Sequence, residues 1–400
     1  MIDPLLIGGV FIACFVAYNI GGATTGPAFG PAVGAGVITK TAAGVLMSVF
    51  FFLGAFTIGR RVVETLGSDL VHDPSIFTLR ASIVVLFFIG GALLLGNISG
   101  APSSTSMTAV GSIAGLGLAT GQLNLAVVAE ILAWWILSPV IGFWVAVMIG
   151  RYYYGTIDRI IAIERSDGPM VVFDRSKPVP RPALGPNTTR TEVIGTGVVI
   201  AIGCLMAFSS GTSNIANAIA PLVGSGALDM NVGIVIGSIA VAVGAVTIAR
   251  RTMETLGNDI TDLPLTAAII VAVLSSAITI LLSVIGIPAS FVIIATVCIV
   301  GLGWGRSTRR TTIVDAVYGN ASSGVSVDAL SVEEGTPTVG DPGGVLSAEK
   351  SSGSDRIDGE PSHSELFDPG TTVRVIVMQN VVPIFATIGS YFVFVLFGAF

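Results

Sequence analysis

Nine stretches of this chain (5–21, 41–58, 79–97, 123–150, 193–209, 231–249, 264–285, 287–304 and 373–399) are apolar runs holding at most one charged residue each. A helix needs about 20 apolar residues to cross the hydrocarbon of a bilayer, and a chain built mostly of such runs cannot cover itself with a wettable surface. Composition agrees: 52 % of the 400 residues are hydrophobic and 11 % are charged, against about a quarter charged in a soluble domain. A tenth, weaker run, 103–121, is rich in Ser, Thr and Gly. The expectation is an all-α polytopic protein, multi-pass in the cell membrane, with about ten crossings. The N-terminal MIDPLL has no basic leader, so the first run is expected to stay as a span.

The net charge of −6 is concentrated in one place. Residues 306–372 hold eleven Asp/Glu and five Lys/Arg, and the remainder sums to zero. A chain without a basic patch is not built for nucleic acid. Residues 319–370 are Gly, Ser, Pro, Asp and Glu with few large apolars, the composition of a disordered linker. Sixteen Arg against three Lys, with acidic loops, fit a halophilic setting. Cys14, Cys204 and Cys298 lie in apolar runs without CxxC spacing and read as small buried hydrophobes.

Two segments fit no ordinary span. Residues 22–38 and 211–227 carry no charge and are crowded with Gly, Pro, Ser, Thr and Asn. These residues disfavour a continuous helix, and broken backbone survives at membrane depth only inside protein or against a water-filled cavity. Both segments are therefore expected to be re-entrant hairpins of two half-helices. They stand 190 residues apart and align: Ala28/Ala218, Pro31/Pro221, Val33/Val223, Gly34/Gly224 and Gly36/Gly226 are identical. At the same offset GRRVVETLGSD (59–69) meets ARRTMETLGND (249–259), and Cys14 meets Cys204. GAPSS (100–104) meets GIPAS (286–290) at offset 186. The chain thus reads as a first transmembrane repeat (1–150), a basic cytoplasmic linker (151–190), a second repeat (191–305), the acidic loop (306–372) and an appended C-terminal helix (373–400). Five crossings per repeat would invert the second copy relative to the first. Arginines in 151–190 and after 305 place both segments in the cytoplasm. Duplicated, interrupted spans are the sequence pointer to a transporter site.

Other chemistries lack their residues. No GxxxxGK[ST] or GxSxG is present, and His72 and His363 are the two histidines. The chain is not expected to be an enzyme, nor to hold a metal centre or organic cofactor; a sodium ion or proton is the coupling partner left open. The remaining candidates are neutral polar groups at membrane depth: Thr24, Thr25, Thr212, Ser213, Asn214 and Asn217 in the two interrupted segments, and Ser103, Ser104, Thr105, Ser106, Thr108 and Ser290 after the paired prolines. Hydroxyls and amides both donate and accept, and half-helix N-termini add unpaired N–H groups. Such a set suits an oxyanion, with carbonyls left over for a cation near Asn217.

These motifs resemble those of the inorganic phosphate transporter (PiT) family. GTSNIANAIAPLVGSGAL (211–228) is similar to the family's duplicated GANDVANA-like motif, GGATTGPAFGPAVGAGVIT (21–39) is its first copy, and Pro102–Ser106 looks like its P-x-S-T-T segment. The resemblance implies a duplicated, inverted-repeat membrane fold that moves phosphate, usually with sodium. It also marks departures. Where the family carries Asn-Asp and a later Asn, this chain has Ala23, Thr24 and Pro27 in one copy, and Ser213, Asn214 and Asn217 in the other. Phe51 replaces a family glutamate, and Phe291 and Val292 replace hydroxyl residues. A carboxylate only accepts hydrogen bonds; its loss removes an acceptor for the proton of phosphate and a repulsion toward sulfate.

The sequence therefore points to a secondary transporter of inorganic phosphate with alternating access. Its substrate-binding residues are expected to be Thr24, Thr25, Ser104, Thr105, Ser106, Ser213, Asn214, Asn217 and Ser290. Its partners are the anion, the bilayer and, in one arrangement, a second copy as a homodimer. Sulfate permease and non-transporting scaffold stay open as alternatives. A channel is disfavoured, since no charged ring or carbonyl-filter sequence is present.

Overall fold

The computed structural model describes residues 3–34, 37–98, 104–161, 171–174, 181–184, 189–248, 265–308 and 369–398. The chain opens with α1 (Pro4–Gly34) and the second copy opens with its counterpart α8 (Arg190–Gly224), 31 and 35 residues long. At 1.5 Å per residue these measure about 46 and 52 Å. Neither is broken, so the expectation of re-entrant hairpins at 22–38 and 211–227 is overturned. The polar side chains are satisfied within the helices: Thr24 Oγ1 donates to the Ile20 carbonyl at 2.8 Å, Thr25 Oγ1 to Gly21 at 2.6 Å, and Thr212 Oγ1 to Ser209 at 2.7 Å. Helix propensities measured in water overstate the weakness of Gly and Thr where an open backbone group has no water to bond.

The chain turns back one element later. After α2 (Lys40–Thr57) and its short continuation α3 (Gly59–Glu64), α4 (Leu79–Ile98) and α5 (Thr105–Thr120) form a helical hairpin. Its outer ends are pinned by an antiparallel bridge between Val71 and Leu123, with His72 N–H donating to the Gln122 carbonyl at 2.7 Å. α6 (Leu125–Met148) and α7 (Tyr154–Ile161) follow. Within the segment expected to be a plain linker, the strands β1 (Val171–Asp174) and β2 (Arg181–Leu184) pair antiparallel, Val171 opposite Leu184. The second copy continues with α9 (Met230–Thr247), α10 (Leu265–Val284) and α11 (Phe291–Ser307), and α12 (Pro369–Phe397) closes the chain. The turn between α10 and α11 passes through Gly286 at φ +81°, a left-handed conformation that a side chain disfavours; Gly286 is the glycine aligned with Gly100.

Among the described residues, eight helices are long and apolar enough to cross a membrane. The ten crossings expected become eight such helices and two shorter arms: α5 with 16 residues and α11 with 17. The second ETLG segment and most of the acidic 306–372 loop lie outside the described residues.

The two copies are interlocked. A Cβ on Gly21 would overlap the Val241 carbonyl oxygen, and one on Gly211 would overlap that of Phe51. Gly244 meets Tyr18 and Gly54 meets Phe208 in the same way. Each pair maps onto its mate by adding or subtracting 190, so α1 crosses α9 as α8 crosses α2. The counterparts α1 and α8 run antiparallel: Gly9 lies against Leu222, and Gly203 against Phe29. The helix read from the sequence as appended, α12, packs on α5, with the Thr387 carbonyl against Gly115; α6 packs on α11, with the Phe143 carbonyl against Gly301. Gly115 and Gly301 are equivalent at offset 186. α12 thus packs on the first hairpin as α6 packs on the second.

This geometry predicts which glycines are indispensable. Gly211→Val forces a side chain onto the Phe51 carbonyl and is expected to lower stability by about 1–3 kcal/mol, read as a drop in thermal unfolding temperature in detergent. Gly30→Ala, where nothing lies within 4 Å of the new methyl, is expected to leave that temperature unchanged or slightly higher.

Candidate functional site

Where α1 and α8 cross, the inner ends of α5 and α11 meet them and enclose a cavity of about 40 Å³. On that scale a water occupies roughly 10–15 Å³, so a few waters or one small tetrahedral ion fit. Its walls are Thr24 and its neighbours Ala23, Pro27 and Ala28 on α1, and Met206, Ser210 and Asn214 on α8. Ser104 and Thr105 close it from the first hairpin, and Ser290, Phe291 and Val292 from the second. The arrangement follows the duplication: Thr24 is the counterpart of Asn214, and Ser104 of Ser290. Among the described residues, no ionisable side chain lines the cavity.

Two helix N-termini open onto this space, and the first N–H groups of a helix have no partner within it. Ser104 caps α5, its Oγ accepting the Met107 N–H at 3.2 Å. Ser290 holds the same place on α11, yet its side chain makes no cap bond, and its buried hydroxyl has no partner. Aligned backbone dipoles place partial positive charge at both ends. The cavity therefore offers hydroxyls, an amide and two positive helix ends, the equipment of an anion site without a formal charge.

Behind this wall lies a second polar layer. Asn214 Oδ1 accepts from Thr105 Oγ1 and, at 3.2 Å, from Asn217 Nδ2; Asn214 Nδ2 donates to Ser210 Oγ at 3.0 Å. Asn217 Nδ2 also reaches Ser106 Oγ at 3.4 Å. Ser106 and Ser213 hydroxyls both donate to the Ala289 carbonyl, at 2.9 and 3.0 Å, and Ser213 Oγ accepts the Ala289 N–H at 3.0 Å. These bonds fix the tip of the second hairpin against α5 and α8. Asn217 is fully buried, and its Oδ1 has no hydrogen-bond donor.

Of the residues expected from sequence, Thr24, Ser104, Thr105, Asn214 and Ser290 reach the cavity. Ser106, Ser213 and Asn217 stand one layer back, and Thr25 is buried away from it, bonded to its own helix. Thr212 lies against α10, its hydroxyl oxygen 3.0 Å from that of Ser283. Sequence reasoning missed Ser210, one helical turn before Asn214, which that spacing alone could have found. The apolar members Met206, Phe291 and Val292 carried no such signal.

The comparisons with known proteins agree with this fold. Residues 20–327 match the model of the phosphate transporter family. The chain is 28 % identical over 302 residues to the sulfate permease CysP of Bacillus subtilis, covering 75 % of this chain and 78 % of that protein. It is 26 % identical to a Chlamydia pneumoniae protein named "Putative phosphate permease", covering 78 % of this chain and 92 % of that one. A solved structure titled "The sodium-dependent phosphate transporter" superposes with TM-score 0.61 at 16 % identity, over 98 % of this chain and 99 % of the other, which shows a shared fold. A family model spanning most of the sequence, eight helices fit to cross a bilayer and a full-length structural match lead to one conclusion: the chain is a multi-pass membrane transporter and belongs to the phosphate transporter family.

Proposed function

We propose that the protein is a secondary transporter that carries inorganic phosphate through the cavity between α1, α8 and the two hairpin tips, by alternating access. The observation behind this is the pair of helix N-termini facing one small cavity, with the unpartnered Ser290 hydroxyl beside it. A tetrahedral oxyanion would accept from the N–H groups of α5 and α11 and from the Ser290 hydroxyl, while Thr24 Oγ1, whose own proton is on the Ile20 carbonyl, can accept the proton of monohydrogen phosphate. Exclusion of bulk water strengthens each of these bonds.

A cation would travel with the anion. The orphaned Asn217 Oδ1, the Ser106 and Ser213 hydroxyls and the Ala289 carbonyl form a group of neutral oxygens directly behind the anion's wall. Such oxygens suit a hard cation like sodium. A bound cation there would offset the charge of the anion in a site that has none of its own.

Sulfate is a second reading, and a specific observation favours it. Thr24 and Asn214, which stand in the places of the family's motif aspartates, both line the cavity. Without a carboxylate, nothing there repels a fully deprotonated dianion. Uptake into proteoliposomes separates the readings. Phosphate accumulation that rises with an inward sodium gradient and exceeds sulfate accumulation at equal concentrations is the expected result. Sulfate uptake displaced only by sulfate would move the assignment to the second reading, and no uptake of either anion would refute transport.

A further inference from the structure

A second, smaller cavity adjoins the first on one side. This apolar passage, about 30 Å³, shares Ala28 and Met206 with the wall of the first and is lined further by Ala32, Ala268 and Ala272 together with the larger Val199, Ile202 and Ile269. This passage runs between the C-terminal half of α1 and the N-terminal halves of α8 and α10. The duplication defines an equivalent path on the opposite side, between the C-terminal half of α8 and the N-terminal halves of α1 and α4. There two of the small residues are replaced by large ones, Leu222 for Ala32 and Leu86 for Ala272, both fully buried, while Gly9 stands for Val199. Gly9 lies against the side chains of Leu222, Ile83 and Leu79, so the equivalent path is filled.

One polar contact joins the two walls of the filled path. Ser82 on α4 is fully buried, and its hydroxyl donates to the Pro221 carbonyl on α8 at 2.7 Å, across 139 residues of sequence. The open side has no such bond available. The counterpart of Ser82 is Ala268, which has no hydroxyl to offer the backbone of α1 around Pro31, the counterpart of Pro221. In an interior without water, a hydroxyl that lost this acceptor would be left unpaired or driven back to its own helix.

We propose that Ser82 is a one-sided latch: it holds the path beside Pro221 shut and biases the resting transporter toward the state open along Ala28 and Ala268. Two inverted copies with identical gates would be balanced between their two states. A hydroxyl present in one gate and absent from the other breaks that balance. The Arg-rich 151–190 segment precedes α8 on the open side, so the resting state is inward-facing by the positive-inside rule. The proposal deepens the transport reading and rests on it.

Two matched reporters test it on detergent-purified protein without any anion, in a Cys14→Ala/Cys204→Ala/Cys298→Ala background. Ala28→Cys reports the open path and Ala218→Cys, its counterpart, the closed one. With Ser82 present, a water-soluble maleimide is expected to label the Ala28→Cys protein faster. Ser82→Ala should shift the ratio of the two rates toward Ala218→Cys by two- to tenfold, the weight of one hydroxyl–carbonyl bond. Ala268→Ser supplies the missing hydroxyl to the other gate and should, by itself, slow labelling of Ala28→Cys by a similar factor. That second variant keeps the test decisive if Ser82→Ala fails to fold. A ratio unmoved by either substitution would overturn the latch while leaving transport intact; absent uptake by the unmodified protein would instead remove the transport reading.

Discussion

Uptake by an Asn217→Ala variant is expected to fall at least tenfold while the protein still accumulates in the membrane. Asn217 does not touch the cavity, so the effect is indirect. Its Nδ2 donates to Asn214 Oδ1 and Ser106 Oγ, and removing it leaves two buried acceptors short of a donor, worth about 1–3 kcal/mol. Asn214 then loses one of the bonds that hold its amide on the cavity wall. Ser106, which ties α5 to the Ala289 carbonyl of the second hairpin, loses its neighbour as well. Asn217→Asp keeps the shape and replaces the donor by an oxygen facing Asn214 Oδ1, an acceptor, and is expected to do at least as much damage. Radiolabelled anion uptake normalised to protein in the membrane checks both. Normal uptake by a well-expressed Asn217→Ala protein would show that the second polar layer only packs helices together.

A Thr24→Asp/Asn214→Asp double variant is expected to shift relative preference from sulfate toward phosphate by about ten- to a hundredfold. Both positions line the cavity from opposite helices. A carboxylate at either accepts the proton that phosphate carries and repels sulfate, which has none to give. A hydrogen bond to a charged group contributes about 1.5–3 kcal/mol, which sets the range. The same substitution places charged oxygens beside the Asn217 group, so sodium dependence should steepen in parallel. Competition uptake at two sodium concentrations reads both effects. If a folded double variant competes as the unsubstituted protein does, these two positions do not sense the proton.

The membrane class, the duplication and its register were legible because they rest on composition and on identities at a fixed offset, which need no knowledge of the folded shape. Gly21 and Gly211 show that offset in space, each against the backbone of the other copy. The hairpins were misplaced for a physical reason. Glycine, threonine and proline break helices on a scale measured in water, whereas here Thr24, Thr25 and Thr212 bond back to their own helices. The turn between α10 and α11 falls at a Gly-x-Pro-x-Ser segment, and Gly286 supplies the left-handed residue that it requires. Candidate residues were found by chemical type, which selects hydroxyls and amides but not their direction. Asn214 and Asn217 are three apart on one helix, and only Asn214 reaches the cavity. Residues whose contribution is shape, such as Met206 and Phe291, have no sequence signature of their own.

The packing of α12 on the first hairpin sets a schedule for assembly. Gly111 and Gly115 on α5 are shaped to receive Thr387 and Ser390 of α12, which are synthesised some 270 residues later. At about 5–20 residues per second, that face of α5 waits on the order of 15–50 s for its neighbour after leaving the ribosome. For that interval the first hairpin is a half-clamped element in the lipid. A pause or truncation late in translation therefore exposes a surface of small residues made early.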